Sequence, residues 1–299
     1  MSVVKTERAS TKRLKKMARE RNGETKTSPG QSVSESTAGW SKLVWSPFAL
    51  ALLGGLLMWA ALPPLRLWPL AWIAPIAWLV LISRERMGPR AYWAIWAASA
   101  VHWILVMQGI RLAHWANYFG LLALAAYLGT YLPLFIAVSR VAVHRMRVPL
   151  IVAAPVAWMG IEVAHSYGPL GFSMALPAHT QRPLSVMIQI SDLFGGSTVS
   201  MLLVLAAACL FTMAPTSRRA WRWWPAIPLV AALAATIAYG NYRLNQAAES
   251  GEKQRPVRVA LIQGSIDTQF DDDPDHSVDL IRQYSSLTED ALSEFDGLD

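Results

Sequence analysis

Seven stretches of this chain are apolar for about as long as a helix needs to cross a bilayer, and no soluble core of ordinary size could bury them. A spanning helix takes about 20 apolar residues, with ~17–25 tolerated, because hydrocarbon offers backbone N–H and C=O groups no partners. The stretches are residues 43–62, 67–83, 91–110, 115–139, 148–164, 194–213 and 223–239. Hydrophobic side chains make up 54% of the 299 residues and charged ones only 16%, which excludes a single soluble domain. Prolines 47, 63, 64, 149 and 225 mark the edges of the stretches, and Pro75, Pro133 and Pro155 are expected to kink helices from inside. The composition includes fourteen tryptophans, a residue that favours the membrane–water boundary.

The connections between these stretches supply an independent reading of orientation, because Lys and Arg collect on the cytoplasmic side. Ten of them precede the first stretch, and then the counts alternate. Arg66 stands alone, followed by Arg84, Arg86 and Arg90, then Arg111 alone, then Arg140, Arg145 and Arg147. Arg182 alone, then Arg218, Arg219 and Arg222, then Arg243 alone complete the series. This predicts a cytoplasmic N-terminus and, after seven crossings, an extracytoplasmic C-terminal tail. The net charge of +7 is therefore spread over one side of a membrane protein and does not form a nucleic-acid patch. Residues 1–42 read as a basic, disordered cytoplasmic tail without a secretory h-region.

Beyond the apolar region, 43–242, the composition changes. Thirteen of the twenty acidic residues follow residue 240. Residues 243–256 read as a polar linker, and Val257 to Gly264 as a buried strand ended by glycine. From Ser277, Leu280, Tyr284, Leu287, Ala291 and Phe295 recur at helical spacing. One strand and one helix cannot bury each other's apolar faces, so residues 257–299 are expected to open a larger α/β domain.

Few side chains in this pattern could carry chemistry. Cys209, the single cysteine, sits among Ala206, Ala207, Ala208 and Leu210 with no acid, Lys or His nearby in sequence, and is expected to be buried and inert. One cysteine also excludes an internal disulfide or a Cys-x-x-Cys site. Glu162 is an acid in an otherwise apolar helix, with His165 three residues on, on the same face. Two roles stay open for this couple: mutual structural pairing, or substrate contact at the outer interface. A metal role would need a second Glu-x-x-His and two further glutamates. Asp192, ahead of Gly195-Gly196, is expected to cap a helix start. His102 and His114, beside Trp103 and Trp115, fit interfacial anchoring. No phosphate loop, zinc-spaced cluster or Gly-x-Ser-x-Gly is present, so no cofactor or metal is expected.

The order of short motifs adds a resemblance. Leu65-Arg66-Leu67-Trp68-Pro69-Leu70-Ala71-Trp72 comes first, then Trp103 before an outer loop, then Ala154-Pro155-Val156-Ala157-Trp158 leading to Glu162. Gly168-Pro169-Leu170-Gly171-Phe172, Pro183-Leu184 and Ile188-Gln189-Ile190-Ser191-Asp192-Leu193-Phe194-Gly195 follow, and Val259-Ala260-Leu261-Ile262-Gln263-Gly264-Ser265-Ile266 comes after the last crossing. Together these resemble the bacterial apolipoprotein N-acyltransferases. The resemblance implies an all-α polytopic bundle of about seven transmembrane helices in the inner membrane, followed by the first strand and helix of an αββα nitrilase-like domain. It further implies acyl transfer from a membrane phospholipid to the N-terminal cysteine of a lipidated apolipoprotein, through a thioester on a Cys aided by a Glu base and a Lys. Nucleic acid is not an implied partner. Glu162, His165 and Trp103 become the substrate-contacting candidates.

Two local departures from the family pattern are His165, where an arginine often follows the acid, and Gly171-Phe172-Ser173-Met174, where Gly-Phe-Pro-Trp is usual. The Glu, Lys and Cys of the catalytic set have no counterpart in the sequence, so no catalytic residue is assigned. The expectation is a truncated acyltransferase, inactive by itself. The alternative is a non-catalytic lipid-binding or partner protein derived from the family; an unrelated transporter ranks last, since few ionisable groups lie within the stretches.

The orientation is testable with a reporter active only outside the cytoplasm. Fusions after Arg66, Arg111, Arg182 or Arg243 should be active, and fusions after Arg86, Arg145 or Arg219 silent; activity after Arg219 with silence after Arg243 would overturn the seven-crossing arrangement.

Overall fold

The computed structural model describes residues 46–112, 114–168, 171–215, 220–251, 259–265 and 274–295. The basic tail, 1–42, lies outside the described residues. From Pro47 onward the described residues belong to one contact unit. Its helices are α1 (Pro47–Ala61), α2 (Ala74–Ile82), α3 (Pro89–Val106), α4 (Asn117–Leu128) and α5 (Tyr131–Arg140), then α6 (Leu150–Tyr167), α7 (Gly196–Met213), α8 (Ala226–Gly251) and α9 (Pro274–Glu294).

Each of the seven apolar stretches contains a helix, but they differ in reach. Three helical segments are long and apolar enough to cross a membrane: Asn117–Arg145, which joins α4, α5 and a π turn, Leu150–Tyr167 and Gly196–Met213. The second stretch is a 3₁₀ turn, Trp68–Trp72, followed by the nine residues of α2. Proline explains the break. Pro69 and Pro75 each stand in the first turn of their helix, where a missing N–H costs nothing, so Pro75 starts α2 and does not kink it. Pro133 likewise falls in the first turn of α5 after the Gly129-Thr130 step, and only Pro155 lies inside a helix.

The core forms where the aromatic residues of α2, α5 and α6 meet. Trp78 stacks on Trp158 at 5.3 Å and 10°, and Phe135 meets Trp158 edge-on at 4.9 Å. Leu79, Leu81, Ile82 and Ile95 are fully buried around them. α7 is the most buried of the three long segments and packs chiefly against α6. Its small residues Ala206, Ala207, Ala208 and Cys209 are buried, and they let neighbouring backbones approach where lipid gives no hydrophobic drive. Gly195, at φ +78°, turns the chain from the helical turn Ser191–Phe194 into α7, a conformation that favours glycine.

The end of α2 is tied down by a side chain from α5. Arg140 donates to the carbonyls of Leu81 (3.2 Å), Ile82 (3.3 Å), Glu85 (3.3 Å) and Arg84, and His144 Nε2 lies 2.9 Å from the Ile82 oxygen. Carbonyls at and beyond a helix C-terminus lack the usual i+4 partner; Leu81 also accepts from the Arg84 N–H at 3.3 Å, and one guanidinium serves several of them at once.

The C-terminal region departs from expectation in two places. α8 runs on to Gly251, through residues expected to form a linker. Helix-compatible residues such as Leu244, Gln246 and Ala247 permit this, and Arg243 anchors the extension by pairing with Asp192 at 2.7 Å. The expected strand ran from Val257 to Gly264; its residues 259–264 have no regular structure, residues 257 and 258 lie outside the described residues, and no strand is found among the described residues. A strand needs a neighbour for its backbone groups, and none is described here. α9 carries the expected stripe in part: Leu280, Leu287 and Ala291 are half-buried, while Tyr284 and Phe295 are exposed. The remaining residues of the expected α/β unit lie outside the described residues.

A close contact between α1 and α2 gives a stability test. A methyl group at Gly54 of α1 would stand 2.7 Å from Trp78 Cε2, in a ring held by its stack and by an Nε1 bond to the Ala51 carbonyl. Gly54→Ala should therefore lower the unfolding temperature of the detergent-solubilised chain, by the equivalent of about 1–3 kcal/mol for overpacking. Gly160→Ala, where an added Cβ meets nothing within 4 Å, should leave it unchanged or higher. The reverse order would mean that α1 and α2 do not pack as described.

Candidate functional site

Five helices and a loop segment converge on one cavity. It lies between α1, α2, α3, α5 and α6, is closed by residues 175–177, and has a volume of about 80 Å³. Trp103, Glu162 and His165 all line it, together with Trp78, His102 and Tyr131. The candidates singled out from sequence thus share one space. Each arrives for a local reason: Trp103 stands in the last turn of α3, and Glu162 and His165 share the inward face of the last turns of α6.

Glu162 and His165 do not pair with each other. The carboxyl, 4% exposed, accepts from Trp158 Nε1 at Oε2 (2.7 Å) and from Ser200 Oγ at Oε1 (2.9 Å). Ser200 in turn accepts from the Ala178 N–H at 3.0 Å, so the acid fastens α6 to α7 and to the 3₁₀ turn Pro177–Gln181. A buried carboxyl is tolerated only when its oxygens are satisfied, and here both are. Trp158 lies one helical turn before Glu162, so the donor at i−4 is built into the helix.

His165 is held differently. It is 5% exposed and packs on Tyr131 (4.4 Å between ring centres), Phe172 (5.7 Å) and Trp103 (5.8 Å). Its Nε2 has no hydrogen-bond partner among the described residues. A buried ring nitrogen without a partner is costly to the fold, so its position in the cavity wall is distinctive. Trp103 also meets Phe172 edge-on at 5.9 Å and His102 at 5.5 Å, while His102 Nδ1 lies 2.9 Å from the Gly55 carbonyl. The cavity therefore offers one unpartnered ring nitrogen and a satisfied acid inside aromatic and aliphatic walls.

The loop between α6 and α7 is pinned by groups that the sequence does not flag. Gln181, fully buried, accepts from Trp72 Nε1 at 3.1 Å and donates to Thr180 Oγ1 at 2.7 Å. Burial lowers the pKa of His179 in the same turn. Ser200 could have been suspected, because Ser197, Thr198 and Ser200 put polar side chains at the start of an apolar helix. Gln181 gives no such signal, since its partner is 109 residues away.

The other singled-out residues lie elsewhere. Asp192 does not cap α7; it sits within the turn Ser191–Phe194, where Tyr239 donates to it at 2.6 Å and Arg243 pairs with it at 2.7 Å. Its partners come from α8, beyond what local capping rules can register. His114 Nδ1 accepts from the Ala116 N–H at 3.1 Å, beside an exposed Trp115. Cys209 is free and fully buried in α7. Among the described residues no three His, Cys, Asp or Glu side chains converge as metal ligands would.

Comparison with known proteins places this arrangement. A family model described as the apolipoprotein N-acyltransferase N-terminal domain matches residues 54–209, just over half of the chain. The chain is 29% identical over 280 residues to an apolipoprotein N-acyltransferase of Rhodopirellula baltica, covering 85% of this chain and 46% of that protein. It is 30% identical over 260 residues to one from Geobacter metallireducens (82% of this chain, 48% of that protein). A relative from Vibrio vulnificus is 28% identical over 255 residues (81% and 47%). The chain spans about half the length of the curated relatives it matches. The matched segment holds α2, α3, α5, α6 and the second half of α1, which line the cavity, and the chain belongs to the apolipoprotein N-acyltransferase family.

Proposed function

We propose that this chain forms the membrane part of an apolipoprotein N-acyltransferase and that the Glu162–His165–Trp103 cavity contacts a lipid substrate at the outer face of the bacterial inner membrane. The single observation that carries this reading is the His165 ring, buried among Trp103, Tyr131 and Phe172 with its Nε2 unpartnered. In the proposed topology the seven stretches each cross or enter the bilayer, residues 1–42 stay in the cytoplasm, and the region after α8 is extracytoplasmic. The division into tail (1–42), bundle (43–242), linker (243–256), whose residues up to Gly251 continue α8 as helix, and the opening of a nitrilase-like domain (257–299) belongs to the same proposal.

The proposed reaction moves an acyl chain from a phospholipid to a thiol, with loss of a lysophospholipid, and then to the α-amine of a lipidated apolipoprotein. Both substrates stay in the membrane, which suits a site between helices. The thiol has to come from outside these 299 residues, because Cys209, the only one, is fully buried between helices at the opposite end of α7 from Ser200. The bundle would then supply binding and orientation, and would not transfer acyl chains by itself. The role of Glu162 is positional: it fixes α6, α7 and the outer loop so that His165 faces the cavity.

The test is complementation of a strain depleted of its own N-acyltransferase, read as N-acylation of an abundant lipoprotein by mass spectrometry. The 299-residue chain alone should not restore acylation, and its in-frame fusion to the region of the Geobacter relative beyond the matched segment should. In that fusion His165→Ala should lower acylation roughly tenfold, the scale of one lost buried polar contact, while Cys209→Ser should have no effect. Acylation by the chain alone would mean that the chemistry is misassigned. A fusion indifferent to His165→Ala and Glu162→Ala would favour a family-derived protein that binds partners elsewhere.

A further inference from the structure

A second and larger cavity opens at the other end of the bundle, away from Glu162 and His165. Here α2 ends at Ser83, the turn after α5 brings Val143 and His144, α6 begins at Leu150, and α7 ends at Met213. The segment before α8 closes it with Arg222 and Trp224, held by a bond from the Arg222 N–H to the Met213 carbonyl at 3.3 Å. The volume is about 560 Å³, within the range of small-molecule sites, ~300–1,000 Å³.

The lining divides in two. Val143, Ile151 and Phe211 make an apolar wall that continues into the membrane-length helices α6 and α7. Arg222 and His144 make a cationic, hydrogen-bonding mouth. The Arg222 guanidinium has no carboxylate partner among the described residues, and His144 uses Nε2 alone, on the Ile82 carbonyl. Beside the mouth Trp221, Trp223 and Trp224 are exposed, the first two with ring centres 5.3 Å apart, as expected of rings at headgroup depth. The field at this end is one-signed: Arg84, Arg86, Arg90, Arg140, Arg145, Arg147 and Arg222 face a single acid, Glu85, among the described residues.

We propose that this cavity binds the headgroup of an anionic phospholipid, with the phosphodiester against Arg222 and His144 and the acyl chains passing over the apolar wall formed by α6 and α7. A free phosphate would satisfy the cationic mouth but leave the apolar wall unused. A zwitterionic lipid would fit the wall but bring no net charge to a one-signed arginine field. An anionic lipid matches both halves, and basic pockets between transmembrane helices are suited to such headgroups. The site is separate from the substrate cavity and does not depend on the acyl-transfer reading.

The test uses the full chain in detergent, incubated with phosphatidylglycerol, phosphatidylcholine, or glycerol phosphate without acyl chains, and read by native mass spectrometry and unfolding temperature. Phosphatidylglycerol should be retained in preference and should raise the unfolding temperature; phosphatidylcholine and glycerol phosphate should do neither. Arg222→Gln should weaken phosphatidylglycerol retention about fivefold, the worth of one interfacial arginine, with an unchanged unfolding temperature in phosphatidylcholine. Arg86→Gln, on the same end but outside the cavity, should bind as the parent does. Val143→Trp fills the cavity without changing charge and should also weaken retention. Equal retention of both lipids, equal losses in the two arginine variants, or an equal response to glycerol phosphate would each overturn the proposal.

Discussion

A carboxyl group buried in an apolar bundle has to be satisfied or it destabilises the fold, and the way Glu162 is satisfied fixes much of this structure. Its two donors come from different elements, Trp158 one turn earlier on α6 and Ser200 on α7. Trp158 is also the face on which Trp78 stacks and the ring that Phe135 meets edge-on. One acid therefore ties down the tryptophan that organises the core and, through Ser200 and the Ala178 N–H, the loop between α6 and α7. In lipid, where apolar association gives little drive between helices, such polar contacts and close packing carry the specificity.

The two ends of the bundle are held by different means. At the Glu162 end the fasteners are neutral donors and aromatic edges, and Gln181 bridges the loop between α6 and α7 to Trp72 of the 3₁₀ turn Trp68–Trp72. At the other end Arg140 gathers the carbonyls at and just beyond the end of α2, and further arginines crowd one surface. An aromatic cavity with one satisfied acid at one end and an arginine-lined one at the other suit different tasks. The first can take an apolar or weakly polar part of a substrate, and the second fits the charged rim of a membrane leaflet.

The sequence made the long helices legible because apolar run length is a direct physical requirement of the bilayer. α7, expected at 194–213, is Gly196–Met213, and α6, expected at 148–164, is Leu150–Tyr167. Glu162 and His165 were legible as candidates because an acid in an apolar helix is conspicuous, and Trp103 through the order of motifs, but their relation was not. Spacing alone put Glu162 opposite His165, whereas Trp158 at i−4 is the better donor and Ser200 is 38 residues away. Asp192 shows the same limit, since a capping rule sees only the next few residues and its partners Tyr239 and Arg243 lie on α8. Proline position, more than apolar length, decided that the second stretch became a 3₁₀ turn and a short helix.

The central claim is that the cavity around His165 receives lipid, and photo-crosslinking tests it most directly. A phospholipid carrying a diazirine on its acyl chain near the headgroup, reconstituted with the full chain and irradiated, should label peptides containing Trp103, the Glu162–His165 turn or Phe172. Gly55→Leu, which grows from α1 into the same cavity toward His102, should suppress that labelling selectively. Labelling spread evenly over the lipid-facing surfaces of α4 and α8, unchanged by the Gly55 substitution, would contradict the account.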